Sequence, residues 1–203
     1  MKSLILLVAS LCVLNAGYIK EALSAKDDHN KLAQIYEDAC DKEKKASGCY
    51  NLAVLYSRGD GNVKKDEAKA AMLYEKACDQ NFSMACSNLG YLYAQGEGVE
   101  KDYAKAKANY EMACANEAGI GCDNLGFLYV YAQGVDQNLT KATKLYEQAC
   151  IYAYEKGCNN YAIMLAEGKG VKEDVEKARE IFTKSCKNGL KEACENLEIL
   201  GKN

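Results

Sequence analysis

Cysteine spacing limits the possible folds of this chain more than any other feature. Cys86 to Cys114 encloses CSNLGYLYAQGEGVEKDYAKAKANYEMAC, and the equivalent pairs Cys122 to Cys150 and Cys158 to Cys186 follow at intervals of thirty-six residues. An earlier copy, Cys49 to Cys78, carries one extra residue. A fixed period of this size marks stacked supersecondary units, each burying its apolar face against its neighbours, and excludes a globular domain with one central core. The expectation is one continuous all-α solenoid.

Helical periodicity agrees. In the stretch after Asp102, residues Ala106, Tyr110 and Ala113 recur at spacings of three and four, so they lie on one face of a helix ending near Cys114. Equivalent segments begin at Asp28, Asp66, Asn138 and Asp174, and a short side-chain oxygen at each start can accept from the orphan N–H groups of the first turn. These are termed B helices. A second set, the A helices, is expected over about 47–58, 84–95, 121–133, 157–167 and 193–200. Gly59, Gly96 and Gly168 suit the left-handed residue that ends three of them. Ala132 takes that place in the third unit, which predicts a longer helix and a shorter loop there. The domain reading is a leader at 1–16, then a solenoid over 17–203: a half-unit at 28–46, repeats at about 47–82, 83–118, 119–154 and 155–190, and a terminal helix at 191–203.

Lys2, the apolar run from Leu4 to Leu14 and the small residues Ala16 and Gly17 have the anatomy of a secretory signal peptide, and the run is too short to span a bilayer. Cleavage after Ala16 would remove Cys12 and leave ten of the eleven cysteines. These form five local pairs, Cys40/Cys49, Cys78/Cys86, Cys114/Cys122, Cys150/Cys158 and Cys186/Cys194, each spanning a helix-turn-helix junction. Disulfides fit that spacing in an oxidising compartment, and a closed loop of about nine residues contributes roughly 2.5 kcal/mol per bridge. Zinc is the alternative, but it usually takes closer cysteine pairs or histidines, and the chain has only His29. No metal or cofactor is expected. Secreted or periplasmic localisation follows, with no membrane insertion after signal removal and a monomer as the expected state. The net charge of −3 and interspersed Lys and Glu provide no electrostatic footprint for nucleic acid.

With each A helix numbered from its cysteine as position zero, positions zero, three, four and seven share the packing face. Opposite lie positions two, five and nine. Position two is Asn in every unit, at Asn51, Asn88, Asn124, Asn160 and Asn196. Position five offers Tyr91 and Phe127, and position nine offers Gln95, Tyr131 and Glu167. An amide ladder beside varied apolar groups suits a peptide groove, because Asn can both donate to and accept from an extended backbone. The same ladder would also serve to bridge neighbouring helices and order the stack.

The run NLGYLYAQGEGVEKDYAKAKANYEMAC, echoed as NLAVLYSRGDG, NLGFLYVYAQG and NYAIMLAEGKG, resembles the Sel1-like repeat, a relative of the tetratricopeptide repeat. With a disulfide in each unit and a leader, it is similar to the Helicobacter cysteine-rich proteins of that family. The resemblance implies a right-handed α/α superhelix with A helices lining its concave surface. It also implies adaptor functions on one side, and penicillin binding with slow β-lactamase activity, antibiotic resistance and host immune effects on the other. The expected partners are therefore a peptide, a protein or a peptidoglycan-derived ligand, with β-lactams as mimics. An extracellular effector acting on host cells is a further alternative.

The residues give the enzyme reading little help. None of Ser24, Ser47, Ser57, Ser83, Ser87 or Ser185 has Lys three residues later, as a serine β-lactamase needs, and one histidine cannot make a zinc hydrolase. No catalytic residues are assigned. Glu167 and the Asn ladder are the candidates for polarising a β-lactam. Arg58-Gly59-Asp60 spells an integrin-binding tripeptide, although Gly59 already has a helix-ending role.

Overall fold

The computed structural model describes residues 18, 20–25, 28–59 and 63–201. The proposed leader and Asp60 lie outside these residues. Among them the chain forms α1 (His29–Asp41), α2 (Ala46–Arg58), α3 (Glu67–Cys78), α4 (Ser83–Gln95), α5 (Tyr103–Ala115), α6 (Gly119–Tyr131), α7 (Leu139–Ile151), α8 (Glu155–Ala166), α9 (Val175–Lys187) and α10 (Lys191–Leu200). The fold is an all-α, α/α solenoid. Odd-numbered helices are the B set and even-numbered helices the A set.

The B helices start where their caps predict. Asp28, Asp66, Asp102, Asn138 and Asp174 each accept from the backbone N–H three residues on. The cap has a second task in four repeats. Its own N–H donates to the carbonyl of the residue at position seven of the preceding A helix: Asp66 to Tyr56, Asp102 to Tyr93, Asn138 to Tyr129 and Asp174 to Leu165, at 2.9–3.0 Å. One short polar residue thus starts a B helix and locks it to the A helix before it.

Disulfides join the other side of α1, α5, α7 and α9 to the A helix that follows. Cys40–Cys49, Cys114–Cys122, Cys150–Cys158 and Cys186–Cys194 are disulfides with Cα atoms 4.3–4.7 Å apart. Cys78 and Cys86 are disulfide-bonded as well. Small residues permit the close crossing: a Cβ on Gly121 would lie 2.5 Å from that of Ala113. The turn inside each bridge has one left-handed residue, Lys44, Asn81, Glu117, Ala153 or Gly189. It stands three residues after the cysteine except at Lys44, four after Cys40, which accommodates the extra residue in that loop.

The chain divides into two compact units, one running to Phe82 with Glu97–Val99 added, the other made of Ser83–Gly96 and everything from Glu100. In the first, α2 packs between α1 and α3. Residues 20–24 are helical as well, and Tyr18 ahead of them is buried with its ring edge-on to Tyr36. In the second unit α4 to α10 pack in sequence, and the A helices α4, α6 and α8 also touch one another in turn. Its core runs through Tyr110, Leu125, Leu128, Tyr146, Tyr161 and Phe182.

One expectation, a longer third A helix with a shorter loop after it, needs correction. Helix α6 is not longer than its counterparts: it ends at Tyr131, and Ala132 itself adopts the left-handed conformation at φ 54°. The loop therefore keeps its length, because the locking bond from Asn138 to Tyr129 fixes its far end. Gly134 is needed for a different reason. It tucks against Tyr103 at the start of the preceding B helix, where any Cβ would collide, and Gly170 does the same against Leu139. The last A helix of a full repeat also departs from pattern. Leu165 replaces the position-seven tyrosine, and Tyr161, one helical turn earlier, supplies the hydroxyl that bonds Lys177. In two of the other repeats Lys69 and Lys141 bond Tyr56 and Tyr129 at position seven.

Candidate functional site

The packing face of the A helices is as expected. In α6, Cys122, Leu125, Gly126 and Tyr129 are buried, and a Cβ on Gly126 would meet the Tyr146 ring at 2.8 Å. The opposite face is open. Tyr91 is 47% exposed, Phe127 43% and Tyr131 60%. Phe127 and Tyr131, one turn apart, bring their ring centroids to 4.3 Å. Gln95 and Glu167 are exposed at the ends of α4 and α8, and Glu167 pairs with Lys169 at 2.7 Å.

The five asparagines divide into two groups. Asn160 donates to Asp123 at 2.8 Å, and Asn196 donates to Asn159 at 2.9 Å. Both bonds run from position two of one A helix to position one of the A helix before it. Asn51 donates at 2.7 Å to the Tyr18 hydroxyl, so the N-terminal segment fills the corresponding place at the start of the first unit. These three amides order the stack. Asn88 and Asn124 make no side-chain hydrogen bond among the described residues. The position-one residue facing Asn124's layer is Ser87, whose hydroxyl is buried and has no hydrogen-bond partner among the described residues.

The free amides coincide with the open aromatics. Asn88 and Tyr91 lie three apart on α4; Asn124, Phe127 and Tyr131 follow at intervals of three and four on the adjoining α6. Asp123 joins them, because Phe127 and Tyr131 stand four and eight residues beyond it on the same stripe. Burial pushes the Asp123 carboxyl up to about 6, against the opposing pull of the Asn160 bond and the Lys156 charge. Tyr146 and Tyr154 are raised by burial and by the Asp123 charge, which places both phenols in its neighbourhood. Sequence reasoning missed Asp123 because position one falls between the packing and display faces. Its spacing from Phe127 and Tyr131 was the available signal.

Comparison with known proteins agrees with this architecture. The Sel1 repeat family model matches residues 46–82, 83–117, 120–151 and 155–190. A Sel1 repeat protein from Oxalobacter formigenes superposes with a TM-score of 0.77 at 27% identity, over 83% of this chain and 68% of that one. A protective antigen of uropathogenic Escherichia coli with an SLR fold gives 0.79 at 25% identity, over 93% of this chain and 41% of its own. Helicobacter pylori cysteine rich protein B gives 0.54 at 31% identity, over 68% of this chain and 98% of its own. No curated protein matches the chain. Disulfides of this number accord with an oxidising compartment, extracellular or periplasmic.

Proposed function

The chain belongs to the Sel1 repeat family, and from that premise we propose that it is a secreted interaction module that binds an extended peptide, from a protein or a cell wall, across α4, α6 and α8. One observation carries the reading: the two asparagines not used within the stack, Asn88 and Asn124, are the two beside exposed Tyr91, Phe127 and Tyr131. Free amides supply bonds to a ligand backbone, and rigid aromatic rings supply contact area with little loss of side-chain freedom. Selection of a displayed random peptide library on the oxidised chain, followed by calorimetry, tests it. Substituting Asn88→Ala with Asn124→Ala, or Phe127→Ala with Tyr131→Ala, is expected to weaken the selected peptide at least about tenfold. Unchanged affinity in both folded variants refutes the assignment.

A second reading, slow β-lactam hydrolysis, has one feature in its favour. A carboxyl titrating at about 6 is suited to take a proton from water near neutral pH, and Asp123 has that property beside the Asn124 amide. Hydrolysis of a chromogenic cephalosporin that scales with protein and is lost in Asp123→Asn supports it. Turnover that is absent, or equal in the two proteins, removes it.

A further inference from the structure

The ladder bond between α6 and α8 does not require a charge. Asn159 stands one repeat beyond Asp123 and accepts from Asn196 at 2.9 Å as Asp123 accepts from Asn160 at 2.8 Å. A neutral amide can therefore make the same bond, and the negative charge at Asp123 needs a separate reason. Asn160 takes one carboxylate oxygen; the other has no hydrogen-bond partner among the described residues. Glu167 on the same face is paired with Lys169, and Glu195, at position one of α10, is paired with Lys191. Asp123 forms no such pair among the described residues. The groups facing it are Lys156 on α8, Tyr146 on α7 and Tyr154 in the turn before α8, with Tyr131 close to Tyr146. A carboxylate among phenol rings, one turn from an exposed aromatic pair, fits a primary ammonium or guanidinium whose carbon stem lies over the rings.

We propose that this face selects peptides that place a lysine or arginine side chain on the Asp123 carboxylate and an adjacent apolar side chain on the Phe127–Tyr131 pair. The proposal rests on the peptide-binding reading above and adds the ligand's charge to it. Phe127 and Tyr131 supply the contact for the apolar neighbour, Asn124 holds the backbone between them, and Asp123 discriminates.

The test titrates the full oxidised chain with N-acetyl-Leu-Lys-amide and with N-acetyl-Leu-norleucine-amide, which lacks the ammonium, following the Asn88, Asn124 and Asn160 side-chain amides by nitrogen-15 NMR. At a pH of about 7.5 the lysine peptide is expected to bind about tenfold more tightly. That ratio should fall to about one in Asp123→Asn, and also at a pH of about 4.5, where the carboxyl is protonated. Saturating lysine peptide should also lower the Asp123 titration midpoint in carbon-13 spectra. Equal binding of the two peptides by the wild type overturns the charge selection and leaves the groove reading standing. A lysine preference that survives in Asp123→Asn, or an unmoved midpoint, overturns it too. Absence of any shift with either peptide likewise overturns it, while the library selection independently decides the groove.

Discussion

Replacing Asp123 by Asn should make the protein more stable at neutral pH. The folded-state pKa of about 6 lies above the ordinary 3.8, so the native state holds this proton more tightly than the unfolded chain does. Stability from that preference is complete below the unfolded value and is lost as pH rises through the folded one, between about pH 4 and pH 6. About two pH units at 1.36 kcal/mol each set the cost of the ionised carboxylate at about 2–3 kcal/mol above that window. The substituted amide would keep the oxygen that accepts from Asn160, as Asn159 accepts from Asn196, and would carry no charge to desolvate. Urea denaturation of oxidised wild type and Asp123→Asn at a series of pH values measures the difference. It should be about 2–3 kcal/mol in favour of the variant at neutral pH and shrink toward zero below about pH 4. A variant no more stable than wild type at neutral pH, or an advantage independent of pH, refutes the argument.

Ala132→Gly should stabilise by about 0.5–1 kcal/mol, since the residue sits at φ 54° and glycine relieves the left-handed strain while adding freedom to the unfolded chain; an unchanged melting temperature would contradict this. Gly126→Ala should cost about 1–3 kcal/mol because its Cβ would press on the Tyr146 ring, and near-UV circular dichroism should report the displaced tyrosine. The exchange Tyr161→Leu with Leu165→Tyr restores the pattern of the other repeats, so thermal melts should show it tolerated better than Tyr161→Leu alone, which leaves Lys177 without its hydroxyl. Reduction of all disulfides should remove roughly 2.5 kcal/mol per bridge and lower the far-UV melting temperature; an identical melt in excess reductant would exclude a stabilising role.

The framework was legible because each repeat solves the same packing problem. Asp66, Asp102, Asn138 and Asp174 could be read as caps from their place before an amphipathic run, and Cys114 and Cys122 could be paired from their spacing across a turn. Features that depend on the neighbouring layer were not legible. Ala132 looked like a continuation of α6, because its left-handed conformation is imposed by the bond from Asn138 back to Tyr129, not by its own preference. Nothing in the sequence separates Gly98, Gly134 and Gly170 from ordinary turn residues, although each is wedged against a B-helix start one repeat earlier. The asparagines were the hardest case. Identical letters at position two conceal different fates, since Asn160 finds an acceptor at Asp123 whereas Asn124 faces the layer of Ser87 and finds none among the described residues.

That division bears on how a destabilising carboxylate persists in the middle of the stack. In a repeat array each unit interacts chiefly with its neighbours, so a local penalty must be offset nearby. Asp123 directly follows Cys122, whose disulfide to Cys114 ties α6 to the helix before it. The roughly 2.5 kcal/mol expected of such a bridge is of the same size as the cost of the ionised carboxylate. The covalent staple thereby permits a charge that packing alone would select against, on the face where three aromatic rings are exposed and two amides make no side-chain hydrogen bond among the described residues. If so, the benefit of Asp123→Asn should matter most when the Cys114–Cys122 bridge is removed as Cys114→Ala with Cys122→Ala. That protein should unfold at lower urea than wild type, and Asp123→Asn should restore most of the loss at neutral pH but little of it below about pH 4.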